Sequence, residues 1–257
     1  MNQKNVPAAL ARYLSSVPRA ALAFSGGVDS SYLLYAAQSC GIDTHAYFVH
    51  SQFQPRFELD DARRLAGELG IGITVIPLDI LQSPVVSENP PDRCYHCKRL
   101  IFEAILHRAA LDGCTLLLDG SNASDDAGDR PGMRALAELR VVSPLRAAGL
   151  TKAQVRENAR RAGLFIWEKP AYACLATRVP AGTPITEELL FRIEQAEKTL
   201  AQLGFSDFRA RVMGAAVRLQ LPAGQLPLAA ARHAELTEAL APWFEDVLLD
   251  LKPREST

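Results

Sequence analysis

Charge of neither sign is in excess. Lys and Arg number 28 against 29 Asp and Glu, and the formal net charge is -1. That balance gives no global attraction to nucleic acid and leaves only a local basic patch as a route to it. No apolar run approaches the roughly 18 residues that span a bilayer. The opening stretch MNQKNVPAALARYLSSVPRAALAF does not read as an export signal, because Arg12 and Arg19 interrupt it and two prolines break it. A cytoplasmic location is expected. Cysteine is scarce and odd in number: Cys40, Cys94, Cys97, Cys114 and Cys174. An odd set without an export signal argues against a disulfide framework. There is no internal repeat and no low-complexity tract. Disorder is excluded as the dominant state by a hydrophobic content of 48% and the small net charge. The length suits one large domain or two smaller ones.

The first half alternates short apolar strands with helices. Residues 20–24 read as a strand, SGGVDSS as a tight loop, and SYLLYAAQSCG as a helix stopped by Gly41. Strands at 44–51, 73–79 and 115–120 alternate with helices at 57–70 and 93–113, the latter with a cysteine pair in its first turn. Residues 82–93 and 121–132 read as polar loops. This order implies a mostly parallel sheet, with ligands bound beyond the carboxyl ends of its strands. The polar segments 25–31, 51–57 and 120–132 all follow strand ends and are expected to converge. A further helix spans 151–164, with Thr151 as N-cap. The Pro-, Ala- and Gly-rich stretch 169–184 carries Cys174. Beyond it lie a helix with the stripe Leu190, Ile193, Ala196, Leu200 and Leu203, a strand pair, another helix and a last strand. The expected organisation is an α/β domain over 1–170, a linker over 171–185, and a smaller α+β domain over 186–257. The stripe must pack within its unit or against another subunit, and a homo-oligomer is expected.

FSGGVDSS (24–31) is the sharpest motif. Its glycines permit close backbone approach, and it opens a helix whose free N–H groups and dipole favour an anion. Ser25, Ser30 and Ser31 add hydroxyls. The loop suits a phosphate but lacks the lysine of GxxxxGK[ST]. Asp29 is out of place beside an anion unless Mg²⁺ bridges carboxylate and pyrophosphate. An ordinary glycine turn is the plainer alternative, and the full string after an apolar strand weighs against it. In the 120–132 loop, Arg130 suits bidentate phosphate binding. Asp125 suits Mg²⁺ or substrate, unless the loop is merely solvated.

The string SGGVDS resembles the PP-loop of the ATP pyrophosphatases, which have the adenine nucleotide alpha hydrolase-like fold. Members cleave ATP to AMP and pyrophosphate and adenylylate an oxygen that a nucleophile then frees. The resemblance implies that Ser25, Gly26, Gly27, Asp29 and Ser30 hold pyrophosphate, that Ser51 lies near adenine, and that Gly120 joins the ATP site. LDGSNASDD, RPGMRALAELRVVSPL, GLTKAQVRENARRAGL and KPAYACLATRVPAGTPIT follow in order. Together they are similar to the LarE family of ATP-dependent sacrificial sulfur transferases, over about residues 19–221. The resemblance implies adenylylation of a carboxylate of pyridinium-3,5-biscarboxylic acid mononucleotide and its conversion to a thiocarboxylate for a nickel-pincer nucleotide.

Cys174, with Lys169 and Arg178 near in sequence, is the candidate sulfur nucleophile, a buried core thiol being the plain alternative. Cys94 and Cys97 form CYHC, too few ligands for structural zinc. With Cys174 they make three thiolates, which suit a [4Fe–4S] cluster with one open iron. The family divides between members with a lone sacrificed cysteine and members with all three. Cys40 and Cys114 read as structural. Arg209 and Arg211 lie two apart on a strand and share a face, which suits a phosphate or carboxylate, or a solvated sheet. Arg178 joins them as a substrate-binding candidate. Glu197 is either a metal ligand or a helix-surface carboxylate. The competing functions are another PP-loop synthetase, such as a tRNA thiolase or an amidotransferase, and a non-catalytic nucleotide or iron–sulfur sensor. The expected ligands are ATP, Mg²⁺ and a small nucleotide, with neither nucleic acid nor membrane as partner.

Overall fold

In a computed structural model, residues 5–125 and 131–255 are described. Helix α1 (Ala8–Leu14) leads into β1 (Arg19–Ala23), α2 (Val28–Ser39), β2 (Asp43–His50), α3 (Arg56–Leu69) and β3 (Ile73–Pro77). A 3₁₀ turn at Ile80–Gln82 and the short α4 (Pro84–Ser87) precede α5 (Arg93–Leu111), β4 (Leu117–Leu118), α6 (Pro131–Glu138), α7 (Pro144–Ala147) and α8 (Lys152–Arg161). Further 3₁₀ turns at Phe165–Glu168 and Leu175–Arg178 lead to α9 (Glu187–Gln202), β5 (Arg209–Met213), β6 (Ala216–Gln220), α10 (Leu226–Ala231), α11 (His233–Leu240) and β7 (Val247–Leu249). None of the described helices is long and apolar enough to cross a membrane.

The chain divides into two units. One takes the chain up to Asp79 and again from Asp92 to Lys169; the other takes Ile80–Pro91 and the chain from Pro170 onward. The first unit is built on a wholly parallel sheet in the order β3-β2-β1-β4. Period-2 alternation sends its side chains to both faces. Ala20, Leu22, Ala46 and Phe48 join α1, α2, α3 and α8 in one core, while Ala21, Tyr47, Val49 and Leu117 join α5 in another. Helices on both sides bury the middle of β1, the second half of β2 and all of β4, while the edge strand β3 stays half-buried. The chain runs outward from β1 through β2 to β3, then returns to β4 on the other flank of β1. The reversal places the loops after β1 and β4 side by side at the switch point, where such sheets bind ligands.

Strand β4 is shorter than the 115–120 reading. Val142 continues its pairing through an isolated parallel bridge to Leu118. The 82–93 reading differs more. Residues 80–91 form two short helical turns and belong to the second unit. Buried Asn89, at φ 56, anchors them there. Its Nδ2 donates to the carbonyls of Pro180 at 2.8 Å and Thr183 at 3.1 Å, and its own carbonyl accepts from the Gly182 amide at 2.7 Å.

In the second unit β5 and β6 form an antiparallel hairpin, turned at Gly214 with φ 62, and β7 pairs parallel to β6. The α9 stripe packs against β5 and α11 within this unit, and Leu190, Ile193, Ala196 and Leu200 are buried there. The segment 230–244, which reads as one helix, is not one. It breaks at Arg232, whose guanidinium reaches the Leu203 carbonyl at 2.8 Å and pairs with Glu235.

Leu22 lies fully buried in β1 between the helical layers. Leu22→Ala is expected to cost ~2–5 kcal/mol, through lost burial and the residual cavity. Denaturant unfolding of both proteins checks this.

Candidate active site

The turn after β1 is shaped by its glycines and closed by its serines. Gly26 adopts φ 73, and a Cβ there would lie 3.1 Å from the Glu58 carbonyl oxygen on α3. Its place therefore demands both left-handed backbone and no side chain. Gly27 is the N-cap of α2 and supplies no side-chain cap. Ser30 Oγ instead donates to the Gly27 carbonyl at 3.1 Å, accepts from the Ser25 amide at 3.3 Å and meets Ser25 Oγ at 3.2 Å. The loop thus folds back on the first turn of α2, where the unpaired amides and the helix dipole favour an anion. Ser25, Gly26, Gly27, Asp29 and Ser30 come together here.

The loop after β4 packs directly against this cradle. A Cβ on Gly120 would lie 2.7 Å from the Ser30 nitrogen. Asp119 accepts from the hydroxyls of Ser121 and Ser143, each at 2.5 Å, which pins the loop's start. Asn122 Nδ2 donates to Asp29 at 3.3 Å. Asp125 accepts from the Asn122 amide at 2.9 Å, and its carbonyl accepts from Arg146, so this carboxylate shapes the loop. Arg130, Asp126 and Asp129 lie outside the described residues.

Asp29 is paired with Lys152, the first residue of α8. Thr151 caps that helix in a capping box with Gln154, as its sequence predicts. The Lys152 amide donates to Ser124 Oγ at 3.0 Å and the Ala123 amide to the Leu150 carbonyl at 2.8 Å. These bonds staple the second loop to the start of α8 and aim Lys152 at the first. Burial raises the Asp29 carboxyl above its ordinary range, against the opposing pull of Lys152. Sequence reasoning missed Lys152. A signal was present: a cation in the first turn of a helix, with no acid there, opposes the helix dipole and calls for a partner elsewhere. The loop has no lysine of its own, and the Lys152 that meets Asp29 lies 123 positions further along the chain.

Ser51 directly follows β2 and is buried. Its Oγ donates to Gln54 Oε1 at 2.7 Å and accepts from the Phe53 amide at 3.3 Å, so it holds the turn after β2. Buried Arg93, at the start of α5, faces the Phe53 ring and donates to Cys94 Sγ at 3.4 Å. Cys94 is exposed and Cys97 half-buried, one turn apart on α5. Cys114 is buried in the core behind α5, and Cys40 caps α2.

Cys174 belongs to the second unit. It is half-buried and N-caps the 3₁₀ turn Leu175–Arg178. Arg178 has no exposed side-chain surface. Its Nε and Nη2 donate to Glu197 at 2.7 and 3.1 Å, and its Nη1 to the Ala173 carbonyl at 2.7 Å and to Thr177 Oγ1 at 2.8 Å. A group so buried and so engaged holds protein. Glu197 also accepts from the Ala210 amide at 3.1 Å and from the Tyr172 hydroxyl, so its oxygens are taken by protein donors and not presented to a metal. Arg209 Nη2 donates to the Ala171 carbonyl at 2.6 Å and Arg211 Nη1 to the Thr177 carbonyl at 2.9 Å. Burial and the neighbouring Arg178 and Arg254 push Arg209 down to about 10. Among the described residues no three His, Cys, Asp or Glu side chains are gathered as a metal site requires. Cys94 and Cys97 lie in one unit and Cys174 in the other.

Two expectations follow for the first unit. Lys152→Ala removes a cation from the phosphate cradle and is expected to weaken ATP binding about 10- to 100-fold, the size of a lost charge-assisted contact; equilibrium titration measures it. Gly120→Ala forces the β4 loop off the first turn of α2 and is expected to weaken ATP binding at least as much. Its circular dichroism should be unchanged.

No protein-family model matches the chain. It is 34% identical over 221 residues to the pyridinium-3,5-bisthiocarboxylic acid mononucleotide synthase of Lactiplantibacillus plantarum, covering 85% of this chain and 80% of that one. It is 34% identical over 218 residues to an uncharacterised protein of Synechocystis, covering 84% and 81%. A probable tRNA sulfurtransferase of Moorella thermoacetica is 30% identical over 196 residues, which cover 71% of this chain and 49% of that protein. The parallel sheet with its glycine-serine cradle and the extent of these matches lead to one assignment: the chain is an enzyme of the LarE family, a sulfur transferase built on the PP-loop fold.

Proposed function

We propose that this enzyme uses ATP to adenylylate a carboxylate of pyridinium-3,5-biscarboxylic acid mononucleotide, then replaces the adenylate with sulfur to give a thiocarboxylate for a nickel-pincer nucleotide. The observation that carries the reading is the meeting of the β1 and β4 loops on the Asp29–Lys152 pair at the N-terminus of α2. The L. plantarum relative is named as a synthase of the bisthiocarboxylic acid mononucleotide, the kind of product this chemistry gives. A carboxylate is a poor electrophile. Its attack on the α-phosphorus of ATP expels pyrophosphate and leaves an acyl adenylate. The α2 amides, the Ser25 and Ser30 hydroxyls and Lys152 stabilise the departing charge. Asp29 would hold Mg²⁺, which supplies charge neutralisation of the phosphates when bound. Ser51 and Gly120 border the nucleotide, and Arg130 is proposed as a further phosphate ligand. Arg209 and Arg211 bring positive charge for an anionic group of the mononucleotide, with Asp125 proposed on the substrate side.

The thiolate of Cys174 then attacks the acyl carbon, and AMP leaves with the electron pair of the broken C–O bond. The Cα proton of Cys174 is then lost to base, its electron pair forms the Cα=Cβ bond of dehydroalanine, and the Cβ–Sγ pair leaves on sulfur as the thiocarboxylate. A second reading rests on the placement of Cys94 and Cys97 one turn apart at the start of α5: with Cys174 they would ligate a [4Fe–4S] cluster, which when bound would supply sulfide. Transfer to tRNA is the less supported alternative, since the net charge is -1 and the match covers only 49% of the tRNA sulfurtransferase.

Pyrophosphate release should require the pyridinium substrate. Release stimulated by tRNA instead would overturn the reading. Cys174→Ala is expected to keep substrate-dependent pyrophosphate–ATP exchange while losing thiocarboxylate formation by at least 100-fold. Anaerobic purification with iron, sulfide and turnover counted decides the sulfur source. One product or fewer per subunit without iron marks the cysteine's own sulfur, and many products with bound iron and sulfide mark the cluster.

A further inference from the structure

The segment Pro170–Cys174 has no regular secondary structure, yet it must present one sulfur atom. Free, such a segment would carry a conformational entropy of about 1–2 kcal/mol per residue. Its backbone is instead held from within the second unit. A single nitrogen, Arg178 Nη1, donates to the Ala173 carbonyl at 2.7 Å and to the Cys174 carbonyl at 3.3 Å. Those carbonyls belong to the two peptide planes on either side of the Cys174 Cα. The Cys174 carbonyl also accepts from the Thr177 amide at 3.0 Å and the Thr177 hydroxyl at 2.8 Å.

What orients Arg178 is Glu197. The two-toothed contact of its carboxylate with Nε and Nη2 fixes the plane of the guanidinium. Glu197 is itself fixed to β5 through the Ala210 amide, and to the cysteine segment through the Tyr172 hydroxyl. The Tyr172 ring lies under the Arg178 guanidinium at 4.6 Å and under that of Arg209 at 5.6 Å. A buried ion pair of this kind adds little net stability over an apolar replacement of equal volume. Its clearest effect here is on where the Cys174 backbone sits.

We infer that the Glu197–Arg178 pair positions Cys174 for sulfur transfer, with Glu197 acting through the guanidinium on the two peptide planes that flank the cysteine. Both are positioning residues; neither is placed on the reacting atoms. The inference rests on the proposed role of Cys174, and its test separates the two. Glu197→Gln keeps the side-chain shape but sets an amide against the guanidinium. Tyr172→Phe removes a single hydroxyl from Glu197 and keeps the ring, so it stays informative if the first variant folds poorly.

Three readouts are taken on the full-length enzyme. Hydrogen–deuterium exchange over residues 171–178 needs no activity; it should speed at least tenfold in Glu197→Gln and less in Tyr172→Phe. Thiocarboxylate formation should fall at least tenfold in Glu197→Gln, while pyrophosphate–ATP exchange stays within twofold of wild type. Arg178→Lys, which keeps the charge but not the fork, should behave like Glu197→Gln. Unchanged exchange protection would overturn the inference, as would wild-type sulfur transfer in Glu197→Gln. An equal loss of adenylylation and transfer would also overturn it, because it marks general unfolding. Full activity of Cys174→Ala would instead remove the role of Cys174 while leaving the exchange result to stand on its own.

Discussion

Gly120 approaches the first turn of α2 so closely that no side chain fits between them. The organisation of the first unit's site depends on that contact. Only with it can the loop after β4 reach the loop after β1, and only then do Asn122 and, through Ser124, the start of α8 come within range of Asp29. The sheet order sets the stage: β1 sits between β2 and β4, so the chain's reversal opens one crevice at the carboxyl ends. The glycines of the first loop serve the same end from the other side, since Gly26 lets α3 pack against the turn. Tight packing of backbone on backbone leaves amides and hydroxyls as the groups facing the ligand, which is what a phosphate requires.

The two units treat charge in opposite ways. In the first, the cradle's carboxylate is matched by Lys152, with Arg156 also in range. In the second, Arg178, Arg209, Arg211 and Arg254 influence one another, and their carboxylates are Glu197, Asp207 and Asp250. Burial, and after it the repulsion of neighbouring arginines, pushes Arg209 and Arg211 downward. Like charges held together in low dielectric are relieved by an incoming anion. The net charge of the whole chain, near zero, conceals this local excess.

Much of the first unit was legible in the sequence because its signals are local. Apolar runs ending in glycine-rich or polar loops marked β1 to β3, the SGGVDSS string marked the cradle, and Thr151 marked the cap of α8. The loop after β4 was expected at the same crevice because it follows a strand end, but the contacts that hold it there were not legible. Lys152 and Asn122 matter through partners 123 and 93 positions away, and no window of sequence reports such pairings. The same limit applies to Arg178 and Glu197. Chemistry suggested an anion site and a metal ligand, whereas burial joins the two to each other. Residues 82–93 read as a loop because proline and polar residues dominate them. The attachment of 80–91 to the second unit rests on backbone bonds of Ser87 and Asn89 to Ile185 and Gly182, which leave no mark on composition.

That attachment has a consequence for how the molecule is made and cut. The second unit is not a tail that begins at Pro170, because twelve residues of it, Ile80–Pro91, are synthesised long before the rest. A ribosome has released them while the first unit is still missing α5 to α8, and their hydrogen-bonding partners at Pro180–Ile185 do not yet exist. The second unit can therefore close only late in translation. For the same reason a fragment starting at Pro170 would lack a piece of its own interior, and the carbonyls of Pro180 and Thr183 would lose the amide of Asn89. Dissection of this enzyme into halves has to respect that interleaving of the chain.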